Sequence, residues 1–207
     1  MILPNMTFPE IIQRVKKDYY VSSDIISDRM YTKYGRLIRK FPKQRINLPD
    51  YHFKSKQGIH YVMYPYILNG NVYTATECRV PVDKGVFHYS LSKINKRLVI
   101  SCYTPHFFQR VKERSFPHLT IAELVSRLFR NNEVGSVVKK EDLCYVPVFT
   151  GYGLAVEYDG GYLIKTYIDK DMRFSEQQGV TEAADILHEL GNLSTGEDRE
   201  LLTQYFS

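Results

Sequence analysis

Apolar residues fall at helical spacing at the start of the chain and at alternate positions after Gly58. Thr7-Phe8-Pro9-Glu10 has the T-x-x-E spacing of a capped helix start, with proline early in the first turn. Ile11, Ile12, Val15 and Tyr19 continue one face. Ser22 or Ser23 reads as the cap of a second helix with the stripe Ile26, Met30, Tyr34, Leu37, Ile38 and Phe41. Pro42 and Pro49 then frame a linker.

The period changes to two over 59–68 and 71–80, which are rich in Tyr, Val, Ile and Thr. Asn69-Gly70 between them signals a hairpin, because both residues tolerate the positive φ of a type I′ turn. Pro65 places the first strand at an edge or a bulge. Asp83-Lys84-Gly85 is the next turn, and 86–94 and 97–103 form a further hairpin around Asn95-Lys96. The spacing predicts four antiparallel strands in sequence order.

At Thr104 the pattern turns helical again. Thr104 caps, Pro105 takes the first helical position, and the helix runs to Arg114. Thr120-Ile121-Ala122-Glu123 is a capping box, with Leu119 and Leu124 as its hydrophobic staple, and this helix ends near Asn131-Asn132. Residues 143–150, 153–158 and 162–168 read as strands, with Asp159-Gly160-Gly161 turning the last pair and Pro147 marking an edge. The tail, 174–206, reads as two helical pieces. The expected class is α+β: N-terminal helices, an antiparallel sheet, a central helix pair, further antiparallel strands and a helical C-terminal tail. Residues 1–50 are expected as a helical segment, 51–172 as the core and 173–207 as the tail, all in one compact unit.

Composition narrows the class. With 43% hydrophobic and 25% charged residues among 207, the chain is neither disordered nor collagenous. Cys78, Cys102 and Cys144 cannot all pair and have no C-x-x-C spacing, so they suggest reduced thiols and a cytoplasmic protein rather than a zinc site. No signal peptide and no long apolar run is visible, which predicts no membrane span. Residues 1–118 carry 20 Lys and Arg against 8 Asp and Glu, while 119–207 carry 8 against 15. That asymmetry fits RNA or another polyanion on the basic part, an acidic tail packed against it, or a solvated surface.

The candidate chemistry lies on the helix at 105–114. At 100° per residue, His106, Gln109, Arg110, Glu113 and Arg114 share a polar arc opposite Phe107, Phe108 and Val111. Arg110 and Arg114 are like charges four residues apart, which calls for an anion between them. Glu113 can be that anion, or a phosphate whose oxygens match two guanidinium forks. His106 sits near the helix N-terminus, where the dipole favours a neutral ring able to act as a base.

The run Thr104-Pro105-His106-Phe107-Phe108-Gln109-Arg110-Val111-Lys112-Glu113-Arg114 resembles the H-x-x-x-R-x-x-x-R opening helix of RelE-like toxin ribonuclease domains. The resemblance covers about 97–170. It continues through the second short helix and the strands 153–158 and 162–167, which end in Lys165-Thr166-Tyr167. It implies metal-independent cleavage of RNA without a cofactor. His106 would be the base, Arg110 and Arg114 would stabilise the phosphorane, and Thr166 would complete the catalytic set. Lys165, Tyr167 and Glu113 would bind substrate, and an antitoxin or other protein partner is implied. Residues 1–95 have no counterpart in that pattern, and the polar link 132–142 is longer than in it.

Elsewhere the motifs are bland. His52, His60, His88, His118 and His188 lack metal-ligand spacing and read as ordinary loop or strand histidines. Thr150-Gly151-Tyr152-Gly153 is too short for a phosphate loop, and no G-x-S-x-G is present. The tyrosines of 59–66 suit either strand formation or base stacking. Two readings stay open: a ribonuclease, and a non-catalytic nucleic-acid-binding or protein-interaction module.

Overall fold

A computed structural model describes residues 6–40, 45–82, 85–94, 97–131, 137–159, 161–172 and 181. The chain begins with one helix, α1 (Phe8–Lys40), where two were expected. Ser22 is 4% exposed and lies on the helix's buried face with Ile12, Val15, Ile26, Met30 and Tyr34. A serine that reads as a cap therefore continues the core stripe. The hydroxyls of Ser23 and Thr32 bond back to the Tyr20 and Asp28 carbonyls, so neither interrupts the helix. The start is as expected: the Thr7 N–H and hydroxyl both donate to Glu10 Oε2 at 2.7 Å. Leu37, placed in the apolar stripe from sequence, is exposed, and Phe41 lies outside the described residues.

The short strand β1 (Ile46–Asn47) lies in the stretch read as a linker, and a second, β2 (Tyr51–Lys54), opens the expected core. Then come β3 (His60–Leu68), β4 (Asn71–Val82), β5 (Gly85–Ile94) and β6 (Arg97–Tyr103). These last four pair antiparallel in sequence order. Asn69 and Gly70 have φ of 49° and 73°, as a type I′ turn requires. Pro65 sits in the interval between β2, which pairs residues 60–63, and β1, which pairs 66–67. Its carbonyl points to that outer side and accepts from Leu48 N at 2.9 Å. The N–H that proline lacks would point the same way, so the β3–β4 ladder loses nothing.

Helices α2 (Pro105–Arg114) and α3 (Ile121–Asn131) start where their caps predicted. Thr104 accepts from Phe107 N, and the Thr120–Glu123 box is closed in both directions. After α3 come β7 (Val138–Lys140), β8 (Leu143–Val148), β9 (Gly151–Tyr158) and β10 (Gly161–Asp169). Pro147 lies beyond the three residues of β8 that β7 pairs, in keeping with an edge. One turn of 3-10 helix, Lys170–Met172, closes the described run. The expected helical tail falls outside the described residues, except Thr181, which is buried and accepts the Tyr152 hydroxyl on its carbonyl.

All these strands form one sheet in the order β1-β3-β4-β5-β6-β10-β9-β8-β7, with β2 also on β3. Every pairing is antiparallel except β6 with β10. The helix α1 covers one face, packing Ile12, Val15 and Met30 against Tyr61, Met63, Tyr89 and Ile100. The other face carries α2 and α3, with Phe107, Phe108, Val111, Leu124 and Leu128 over Val62, Tyr64, Tyr103, Val146 and Ile164. The fold is α+β, built as helix, sheet, helix. Arg130 ties α3 to the first edge: it donates to the Leu48 carbonyl at 3.1 Å and to Asp50 at 2.5 Å.

The β6–β10 seam depends on Gly161. A Cβ there would sit 2.0 Å from the Ile100 carbonyl oxygen, which is backbone and cannot swing aside. Gly161→Ala is expected to cost about 3 kcal/mol or more, at the upper end of overpacking effects. Urea unfolding measures this, and amide shifts confined to β6 and β10 would locate it.

Candidate functional site

Helix α2 is tied to β10 at both ends. At its start the Thr104 N–H donates to the Ile164 carbonyl at 3.2 Å, and the Thr104 hydroxyl donates to the Lys165 carbonyl at 2.8 Å. That second carbonyl is available because β10 bulges between Ile164 and Thr166, which leaves Lys165 as the extra residue. At the other end Arg114 Nη1 donates to the Tyr167 carbonyl. Ser115, just past the helix, donates to Asp169 at 2.6 Å and bonds the Tyr167 hydroxyl at 2.9 Å. These bonds hold the polar arc at a fixed height above the sheet.

On the arc, Arg110 Nε donates to His106 Nε2 at 3.5 Å, and Arg110 Nη1 reaches Glu113 at 3.0 Å. Gln109 donates to the other oxygen of Glu113 at 2.9 Å. The Glu113 carboxyl is held below its ordinary range, first by the Gln109 hydrogen bond and then by Arg110. Glu113 is thus the anion the like-charged arginines called for, at least for Arg110. His106 and Glu113 are exposed, and Arg110 and Arg114 are half-buried.

The rest of the expected site is rearranged. Tyr167 is fully buried, edge-on to Phe107, with its hydroxyl between Ser115 and Thr150. It supports α2 and offers nothing to a substrate, which corrects its place as a binding residue. Thr166 pairs with Leu154, whereas Ile164 and Tyr167 pair with Ala155 and Gly153. Cross-strand partners share a face. Ala155, Ile164 and Tyr167 belong to the α2–α3 side, so the bulge turns Thr166 to the opposite face. Thr166 does not converge with His106 and Arg110. Lys165 is exposed at the bulge. The structure brings together His106, Arg110, Glu113 and Gln109, with Arg114 engaged in docking the helix.

A second constellation was not recognised from sequence. Glu77 on β4 is 0% exposed and accepts from four groups. His88 Nδ1 lies 2.5 Å from Oε1, and Arg79 Nε donates to the same oxygen at 2.8 Å. The Tyr64 hydroxyl donates to Oε2 at 2.7 Å, and Arg79 Nη2 at 3.0 Å. Burial pushes the Glu77 carboxyl up, but the bonds from His88, Arg79 and Tyr64 outweigh it and hold the carboxyl below its ordinary value. Tyr64 is pushed up by burial and by the Glu77 charge. Arg79 and His88 are cross-strand partners and line a cavity of about 360 Å³ beside α2 and α3. The available signal was the i, i+2 spacing of Glu77 and Arg79 on one face of a strand otherwise free of charge.

Among the described residues, no cluster of three or more His, Cys, Asp or Glu side chains is placed to hold a metal ion. No helix among them is long and apolar enough to cross a membrane. Cys78, Cys102 and Cys144 are buried and unpaired. No protein-family model, no curated protein and no solved structure matches the chain.

Glu77→Gln removes the charge that Arg79 and His88 face. It is expected to cost about 2 kcal/mol in urea unfolding, since the buried carboxylate's charge-assisted hydrogen bonds are lost while the half-exposed Arg79 keeps access to water. The pH dependence has a definite sign. The folded value of Glu77 lies below 4.5, so its contribution is complete above that pH and drains as the pH falls through the folded value. The variant should lack that part of the acid limb; an unchanged limb would remove Glu77 from it.

Proposed function

We propose that the protein acts on RNA, as a metal-independent ribonuclease whose reacting groups lie on α2. The observation that carries this is the contact between Arg110 and His106 on an exposed helix face. Arg110 donates to His106 Nε2, which marks that nitrogen as the unprotonated one; its single lone pair is open to a substrate proton once Arg110 turns to the phosphate. It lies beside a guanidinium able to stabilise charge developing on a phosphorane. In the reaction Arg110 leaves His106, the ribose 2′-hydroxyl loses its proton to the freed Nε2 and attacks the adjacent phosphorus to form a 2′,3′-cyclic phosphate, and the 5′-oxygen leaves with a proton taken from water. Arg110 releases Glu113 to meet the phosphate oxygens, and Arg114 adds positive charge from its docked position. Thr166 has no part in this arrangement.

The order of elements supports the RelE-like reading: β6, two helices on one face, then β8, β9 and β10 returning beside β6. Three buried free thiols suit a cytoplasmic setting.

A second reading, nucleic-acid binding without cleavage, has its own observation. Tyr66 and Tyr73 stack with centroids 5.4 Å apart, and the Arg45 guanidinium lies 4.7 Å from the Tyr66 centroid. Tyr73 is 44% exposed. Stacked rings beside a cation suit single-stranded nucleic acid, whereas Tyr61 and Tyr64 of the same strand are core residues.

Cleavage of RNA in EDTA by the purified full chain tests the first reading. Arg110→Ala is expected to slow it by roughly a hundredfold or more, with stability changed by no more than about 0.5 kcal/mol. His106→Ala should act similarly and remove the basic-group limb of the pH profile. A parent protein that leaves RNA intact overturns cleavage. Binding that weakens steeply with salt would then favour the second reading, and Tyr73→Ala should weaken that binding.

A further inference from the structure

The cavity beside Glu77 lies along the flank of α2 that carries Pro105, Phe108 and Gln109, and its polar atoms are of two kinds. His88 is 6% exposed, and Glu77 holds its Nδ1. In the neutral tautomer that donates Nδ1–H to Glu77, Nε2 is left as an acceptor. Among the described residues Nε2 has no hydrogen-bond partner, and the side chain lines the cavity. The ring is held by Phe108, edge-on at 5.0 Å. Arg79, 41% exposed at its side chain, spends Nε and Nη2 on Glu77 and Tyr64. Its Nη1 remains as a donor, one cross-strand step from His88. The remaining walls are largely apolar, with Phe108, Ile121 and Val125 among them.

A buried charge cluster with a purely structural role is readily replaced by apolar packing. This one is anchored by Glu77 and ends in a fixed acceptor and a fixed donor, side by side, at the wall of an apolar cavity. A matching ligand is flat and apolar on its faces, with an N–H and a carbonyl adjacent on one edge. Uracil and guanine have that edge, and a guanidinium pairs readily with a base carbonyl oxygen. We propose that this cavity is a nucleobase pocket for uracil or guanine, in which His88 Nε2 accepts from the base N–H and Arg79 donates to the carbonyl. The pocket deepens the RNA reading by naming the base recognised. Gln109 links the two regions, since it lines the cavity and holds Glu113, the partner of Arg110.

The test reads binding and not cleavage, so it separates the two proposals. Uridine and guanosine are titrated into the full-length protein carrying ¹⁵N-labelled histidine, and the His88 ring nitrogens are followed. Saturable shifts with at least one nucleoside are expected. Methylation of the base N–H, in 3-methyluridine or 1-methylguanosine, should weaken binding roughly tenfold or more, because the acceptor is then left unpaired. Ala122→Trp, at an exposed position on the cavity wall, should abolish binding while leaving the Glu77 network and folding intact. If neither nucleoside moves the His88 signals at millimolar concentration, or the methylated forms bind equally well, the pocket is overturned even if RNA is cut. If the nucleosides bind as described and RNA is not cut, the pocket stands and the cleavage reading falls.

Discussion

The parallel pairing of β6 with β10 is the contact on which the rest of the structure depends. Among the described residues it is made by three register pairs, Tyr162 with Ser101, Leu163 with Cys102 and Ile164 with Tyr103. Without it the antiparallel strands up to β6 and those from β7 to β10 would be two separate sheets. With it they form one surface, and the chain leaving β6 must cross one face before returning through β8 and β9. That crossing is α2 and α3. The seam therefore places the polar arc of α2 above β10 and closes the second core cluster over strands from both halves.

The two faces of the sheet are sealed differently, and each carries a buried carboxylate with a tyrosine on it. On the α1 face, Asp18 accepts the Tyr61 hydroxyl at 2.8 Å, which fixes the helix against β3. On the α2–α3 face, Glu77 accepts the Tyr64 hydroxyl and three further donor atoms, one of His88 and two of Arg79. A buried carboxylate is tolerable only when hydrogen-bonded: Asp18 is met by Tyr61 on β3, and both oxygens of Glu77 are met by Tyr64, Arg79 and His88. Asp18 serves packing. Glu77 also orients a histidine toward a cavity, and that difference separates a structural group from a candidate binding group.

The helix α2 shows how docking limits chemistry. Thr104, Arg114 and Ser115 spend their polar groups on β10. His106, Gln109, Arg110 and Glu113 remain on the open arc, and there Arg110 is already paired with Glu113. Any anion that binds there competes with Glu113 for Arg110, so a phosphate must bring more charge or better geometry than a single exposed carboxylate.

Much of the secondary structure was legible in the sequence, because its signals are local. Asn69-Gly70, the Thr104-Pro105 cap and the Thr120–Glu123 box each act within a few residues, and each element begins where they place it. The apolar and polar sides of α2 were equally plain from spacing. What the tertiary structure decided is whatever depends on partners far along the chain. Ser22 reads as a cap by itself but is a core position once the sheet lies beneath it. One bulge at Lys165 turns Thr166 away from the helix, because a single extra residue shifts a period of two to the other face. Glu77 and His88 lie eleven residues apart and look ordinary in the chain. They become a pair only because β4 and β5 align them on one face and burial removes the water that would otherwise screen them.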